Sequence, residues 1–303
     1  MWEIITTWRR RNKLKNFHPL LLFFYFAAVL LFAMFISNPV IQLEALIGAG
    51  LFLLITETAR QNFRTAVFYL IVIAAVGVSN PIFVHNGATP LFFMNGNAVT
   101  LEALAYGFFG GIMLAGVMLW CKSLTHLMTS DKVIYLFGRV IPSLSLILSM
   151  ALRFVPLFKR QIKQISMTQK AMGMYSGNGI ADKIAGGLSV FSAMVSRSLE
   201  NAVVTGMSMK ARGYGLKGRT SFSLFKARAQ DIAVGAVLAA LCVVVIAAAA
   251  NGSLDFSFYP RIREIPTDTG AAAGYISFGA IALLPFLIQV KENIKWRFLI
   301  SKI

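Results

Sequence analysis

Two short stretches with the pattern Lys-Ala-x-Gly carry the side chains whose chemistry is easiest to interpret. They are Lys170-Ala171-Met172-Gly173 and Lys210-Ala211-Arg212-Gly213. A guanidinium stays charged and presents a rigid fork of donors that matches carboxylates. A glycine just past a helix ends it in the left-handed conformation, which other residues adopt only with strain. We therefore predict that Arg212 is an ionic anchor at a helix tip, and that Met172 has the equivalent place without a charge.

These two stretches are predicted to end two amphipathic helices in a basic segment, Ala151 to Gln230. Between Arg153 and Arg228 the segment has 13 Lys and Arg residues against two acids, Asp182 and Glu200. Apolar side chains recur at helical spacing in each half. They are Val155, Phe158, Ile162, Ile165 and Met172 in the first helix, and Leu188, Phe191, Val195 and Leu199 in the second.

The composition of the whole chain predicts an all-α, polytopic membrane protein. Of its 303 residues 57% are hydrophobic and only 14% are charged, whereas soluble domains have about 25% charged residues. A cation at mid-bilayer costs roughly 2.5–3.5 kcal/mol even on lenient scales. The basic segment is therefore predicted to lie in the cytoplasm, and the net charge of +17 to belong to cytoplasmic loops beside anionic lipids rather than to a nucleic-acid interface.

About six membrane spans are predicted, with both termini in the cytoplasm of a plasma-membrane protein. Residues 1–130 would hold a basic N-terminal arm and four spans, 131–230 a cytoplasmic module of two long amphipathic helices, and 231–303 two further spans and a basic tail. The predicted spans are 19–36, 40–56, 65–79, 101–120, 232–250 and 271–290. Residues 80–100 contain no Lys or Arg, which places this connection on the outer face, and Thr100 is predicted to cap the fourth span.

The fourth span is rich in small residues. Helices in lipid associate through close backbone packing, which small side chains permit. We therefore predict that this span makes a tight contact with another helix or subunit through Gly107, Gly110, Gly111 and Gly116.

The sequence resembles the transmembrane T component, EcfT, of energy-coupling factor transporters, a branch of the ABC importers. The resemblance rests on Asn80-Pro81-Ile82-Phe83 with Gly87, on Leu152-Arg153-Phe154-Val155-Pro156, and on the two helix ends. In that family, short Ala-Arg-Gly signatures at two helix tips dock into two ATPase subunits and pass their closure to a substrate-binding S component. The resemblance implies a non-catalytic coupling subunit without a cofactor, for uptake of a vitamin or a transition-metal ion.

The second signature is intact at Ala211-Arg212-Gly213, but the first has Met172 where the family usually has Arg. Three interpretations stay open: two different ATPases, two fused ATPase domains, or Lys170 as the substitute cation.

Other chemistry is weakly indicated. The stretch Gly213 to Thr220 has phosphate-loop spacing, but Arg219 stands where that loop needs Lys, and a helix pattern precedes it. Cys121, Cys242 and the three histidines show no metal-ligand spacing. The alternative functions are a self-contained secondary transporter or channel, and a membrane-embedded enzyme. A transporter or channel would need ionisable or helix-breaking residues at mid-span, of which the predicted spans are nearly free. An enzyme would need a convergent set of acids, His or a nucleophile inside the spans, and the sequence shows none.

Overall fold

A computed structural model describes residues 17–94, 97–173, 179–216, 225 and 228–300. The first 16 residues of the predicted N-terminal arm, half of the phosphate-loop-like stretch and the last three residues of the tail lie outside these ranges. The described elements, in chain order, are α1 (Pro19–Phe35), α2 (Pro39–Thr56), α3 (Ala59–Phe83), β1 (Pro90–Met94), β2 (Asn97–Thr100), α4 (Leu101–Leu127), α5 (Ser130–Val140), α6 (Pro142–Ala171), α7 (Ile180–Ala211), α8 (Ala229–Ala250) and α9 (Thr269–Ile300).

The chain divides into two compact units. One consists of Met1–Lys132 with Phe225–Ile303, and the other of Val133–Leu224. The first unit contains α1–α4, α8 and α9, and the second contains α6 and α7.

Five helices of the first unit, namely α2, α3, α4, α8 and α9, are long and apolar enough to cross a membrane. The apolar helix α1 has 17 residues, about 26 Å at the helical rise, which is the lower end of the spanning range. The predicted fold class is confirmed: the protein is an all-α, multi-pass membrane protein.

The helix starts follow local capping chemistry. Asn38 Oδ1 accepts a hydrogen bond from Val40 N at 3.0 Å, and Pro39 opens α2. Thr100 Oγ1 accepts from Ala103 N at 3.3 Å, which confirms the predicted cap of α4. Each cap satisfies one of the amide donors that the first helical turn leaves without a partner.

The third span is longer than predicted. Helix α3 starts at Ala59, six residues before the predicted start, and continues through Pro81 to Phe83. Arg60 and Arg64 therefore lie inside its first turns. Charge alone suggested a loop there, but a helix end that projects beyond the hydrocarbon tolerates arginines.

The core of the first unit lies among α1, α2, α4, α8 and α9. Trp120 is fully buried and donates from Nε1 to Ala45 O at 2.9 Å, which ties α4 to α2. Tyr25 and Phe26 of α1 pack edge-on against Trp120, each with ring centroids 6.0 Å away. In lipid such packing and hydrogen bonds supply the association that the hydrophobic effect does not.

One end of this bundle carries a two-stranded antiparallel hairpin where a polar connection was predicted. Glu102 is buried, and its Oε2 accepts from Thr89 Oγ1 at 2.8 Å. Ala88 N donates to Pro260 O at 3.1 Å, so the connection between α8 and α9 is held beside the hairpin. Burial raises the pKa of the neighbouring Tyr259 phenol. We refer to this side of the first unit as the hairpin end.

Candidate functional site: two helix tips and a glycine face

The tip of α7 is a complete Schellman ending. Gly213 has φ +82°, Gly213 N donates to Lys210 O at 3.0 Å, and Tyr214 N donates to Met209 O at 3.0 Å. These two bonds satisfy carbonyls that the last helical turn would otherwise leave unpaired. Arg212 is the C-cap residue. The glycine turn that follows it therefore fixes the backbone conformation from which the Arg212 side chain projects.

The tip of α6 shares the glycine conformation and the first of these two bonds. Gly173 has φ +69°, and Gly173 N donates to Lys170 O at 3.1 Å. Met172 is the C-cap residue here. The residue that would complete the second bond, Met174, lies outside the described residues. The repeated Lys-Ala-x-Gly pattern therefore corresponds to a repeated backbone geometry.

The tips expose the side chains that were singled out. Lys170, Ala171, Met172, Ala211 and Arg212 are all exposed. Within the described part of the chain, neither Lys170 nor Arg212 has an ion pair or a side-chain hydrogen bond. An exposed guanidinium without a partner loses little solvation when it meets a carboxylate at a protein surface.

The two tips lie far apart within their unit. Helices α6 and α7 pack against each other, and Gln169 Nε2 donates to Ser189 Oγ at 3.2 Å. This contact gives a reference point on each helix. At the helical rise, Met172 lies about 5 Å beyond Gln169 along α6, and Arg212 lies about 34 Å beyond Ser189 along α7. The helix axes are roughly 10 Å apart. Whatever the crossing angle, these lengths keep the two tips at least about 20 Å from each other. One small groove on a partner cannot hold both.

The amphipathic faces of α6 and α7 are largely uncovered. Among the described residues of this unit, only Gln161 and Gly186 are buried. On α7 the predicted apolar stripe has Leu188, Phe191 and Leu199 each more than 60% exposed. Apolar patches of this size mark surfaces for protein partners or for the membrane.

The glycines of α4 face different neighbours. A Cβ added to Gly107 would lie 2.6 Å from Asn80 Cβ, and one added to Gly111 would lie 2.9 Å from Ile73 Cα, both on α3. At Gly116 the nearest atom, Leu46 N on α2, is 3.6 Å away, and at Gly110 nothing lies within 4 Å. Gly107 and Gly111 thus permit the close approach of α3 and α4, whereas Gly110 faces open space.

One cluster was missed by reasoning from the sequence. Glu57, between α2 and α3, is buried and accepts from Lys122 Nζ at 2.9 Å, and His126 Nε2 lies 3.1 Å from it. Lys122 Nζ also donates to Thr65 Oγ1 at 2.7 Å. Glu57 and Lys122 are 65 positions apart, so no spacing rule connects them. We call this group the Glu57 cluster, and it joins α2, α3 and α4 at the side away from the hairpin.

Within the described residues no group of three or more His, Cys, Asp and Glu side chains could hold a metal ion.

The class of protein is therefore a multi-pass helical membrane protein with a separate helical unit that ends in two exposed tips. Over 100 residues, the chain is 33% identical to the energy-coupling factor transporter transmembrane protein EcfT of Listeria innocua serovar 6a. The matched stretch covers 32% of this chain and 38% of that relative. No family model matches the chain.

Proposed function

We propose that this protein is the transmembrane coupling subunit, or T component, of an energy-coupling factor type ABC importer. In this role it transmits the closure of two ATP-binding cassette ATPases, separate or fused, to a substrate-binding S component. The complex takes up a vitamin or a transition-metal ion across the plasma membrane. The subunit is non-catalytic, with ATP hydrolysed by its partners, and its tips and termini face the cytoplasm.

The observation that carries this proposal is the pair of exposed helix tips with matching cap conformations and positive-φ glycines, one with Arg212 and one with Met172. Two ATPases present two docking sites, and a separation of about 20 Å or more between the tips excludes a single shared groove. Arg212 supplies a permanent charge for an acidic wall. The flexible side chain of Met207, which is exposed on the last turns of α7, adapts to a partner that moves.

The uncovered apolar faces of α6 and α7 support the same role. A helical pair with only two buried residues among those described gains little stability from its own core. Partner subunits that cover these faces would both stabilise the pair and receive its motion. The local similarity to EcfT supports the same class of partner.

The test is Arg212→Glu in the full chain, expressed with the ATPases of its host, with co-purification of the ATPases and substrate uptake as readouts. We expect both to fall strongly, because the variant places a like charge against an acidic groove. The matched control is Arg197→Glu, an equal charge change at an exposed position of the same helix, which should retain both. Wild-type levels of complex and uptake in Arg212→Glu would disprove the anchor.

The alternative is a self-contained secondary transporter or channel. It predicts that the purified chain alone transports substrate in proteoliposomes without ATP. The proposed coupling subunit would be inactive there until ATPases and an S component are added.

A further inference from the structure

Helix α3 exposes one face along its whole length within the first unit. Arg60, Arg64, Val67, Ile71 and Val78 fall within about 60° of one another at 100° per residue. All five side chains are exposed, and the face continues to Ile82. In a membrane, the apolar part of this face meets hydrocarbon or another apolar surface.

The length of α3 determines the depth of the two arginines. From Thr65 to Phe83 the helix has 19 residues, about 28 Å at the helical rise, and the hydrocarbon core is about 30 Å thick. When this stretch spans the core, Arg60 and Arg64 lie directly outside it, at the depth of the phospholipid headgroups, on the side away from the hairpin.

The two arginines differ from Lys122, the basic side chain beside them, in their bonding partners. Lys122 lies nearby, but its ammonium is held by Glu57 and Thr65. Glu57 is in turn occupied by Lys122 and His126. Within the described residues, neither Arg60 nor Arg64 has an ion pair or a hydrogen bond, and the first turn of α3 has no acidic residue.

We propose that Arg60 and Arg64 form a binding site for the headgroup of an acidic phospholipid whose acyl chains lie along Val67 and Ile71, within the adjacent leaflet. Two guanidiniums one helical turn apart provide donors for phosphate oxygens and a net positive charge. The exposed apolar face directly below them accommodates the chains. This combination selects a negatively charged lipid over a zwitterionic one, and it does not depend on the coupling role proposed above.

The test measures lipid binding to the purified full chain in non-ionic detergent by native mass spectrometry. One arm titrates phosphatidylglycerol and the other phosphatidylcholine. We expect R60Q/R64Q to weaken the tightest phosphatidylglycerol site about tenfold, since each basic residue contributes appreciably to the attraction of acidic lipid. Phosphatidylcholine should bind more weakly and change little, and R60K/R64K should retain most of the preference.

The matched control is R261Q/R263Q, which removes the same charge from exposed positions in the connection between α8 and α9. Acidic residues accompany these arginines there, so this variant should bind phosphatidylglycerol as the wild type does. Because the side chains of Arg60 and Arg64 are exposed, R60Q/R64Q should keep the wild-type melting temperature.

Three results would overturn the proposal. They are unchanged phosphatidylglycerol affinity in R60Q/R64Q, an equal loss of phosphatidylcholine, and displacement of phosphatidylglycerol by excess inorganic phosphate. Loss of a co-purifying protein with lipid binding intact would assign the surface to that protein instead.

Discussion

Met172 and Arg212 have the same backbone conformation at the ends of two different helices, with φ/ψ of −79°/1° and −82°/7°. Each precedes a glycine with positive φ. The two tips therefore differ in side-chain chemistry and agree in backbone geometry. Any asymmetry in how they bind partners must come from the side chains, and this allows each tip to be tested against the other.

Lys170 is expected to supply the cation that Met172 lacks. If so, Lys170→Gln should weaken ATPase co-purification roughly three- to tenfold, the range of one charge-assisted contact at a protein surface. Lys210→Gln is the matched control, because Lys210 has the same position on the tip that already has Arg212. Equal effects of the two changes would show that Lys170 has no special role.

Gly213 is expected to be essential for the geometry of the second tip. At φ +82° a β-branched residue is strained by about 1–2 kcal/mol, and a Cβ would lie 3.1 Å from Leu216 Cδ1. Gly213→Val should therefore loosen the last turn of α7 and reduce ATPase co-purification. Hydrogen–deuterium exchange over residues 205–216 measures the first effect.

Gly213→Asn should have a milder effect than Gly213→Val, because Asn tolerates the left-handed conformation. If the valine variant exchanges at the wild-type rate, the Schellman ending does not control this tip.

Gly111 is expected to be needed for the packing of α3 against α4. A leucine there would meet the backbone of Ile73, and overpacking costs typically about 1–3 kcal/mol. Gly111→Leu should lower the melting temperature in detergent by several degrees and, under the proposed function, weaken assembly with the proposed S component. Gly110→Leu is the matched control, because nothing lies within 4 Å of its added Cβ. A wild-type melting temperature for Gly111→Leu would contradict the close approach.

Glu57 is expected to stabilise the junction of α2, α3 and α4. Glu57→Gln leaves Lys122 without its charged partner in a partly buried place, and the loss of one buried partner is costly. The melting temperature should fall by several degrees, whereas Glu200→Gln, on an exposed position of α7, should leave it unchanged. Equal melting temperatures for the two variants would mean that the interactions of the Glu57 carboxylate add nothing to stability beyond what water provides.

The sequence by itself determined the class of the protein and the order of its long helices. Long apolar runs must bury their backbone polar groups as helices in lipid, and a basic segment cannot lie in hydrocarbon, so both conclusions follow from composition and local pattern. The Lys-Ala-x-Gly repeats also predicted the helix ends, because a glycine stop is a local event governed by the backbone. The assignment of the tips to ATPase docking stays a prediction.

Only the tertiary structure decided which residues meet across the chain. Of the small residues on α4, Gly107 and Gly111 contact α3 and Gly110 does not. This depends on how the helix is rotated against its neighbour, and a stripe of small residues in the sequence does not specify that rotation. Glu57 pairs with Lys122, whereas Arg60 and Arg64 at the same end of the bundle have no ion pair among the residues that the structure describes. Glu57 and Lys122 are 65 positions apart. Contacts between such distant residues follow from helix packing, so no local sequence pattern predicts them.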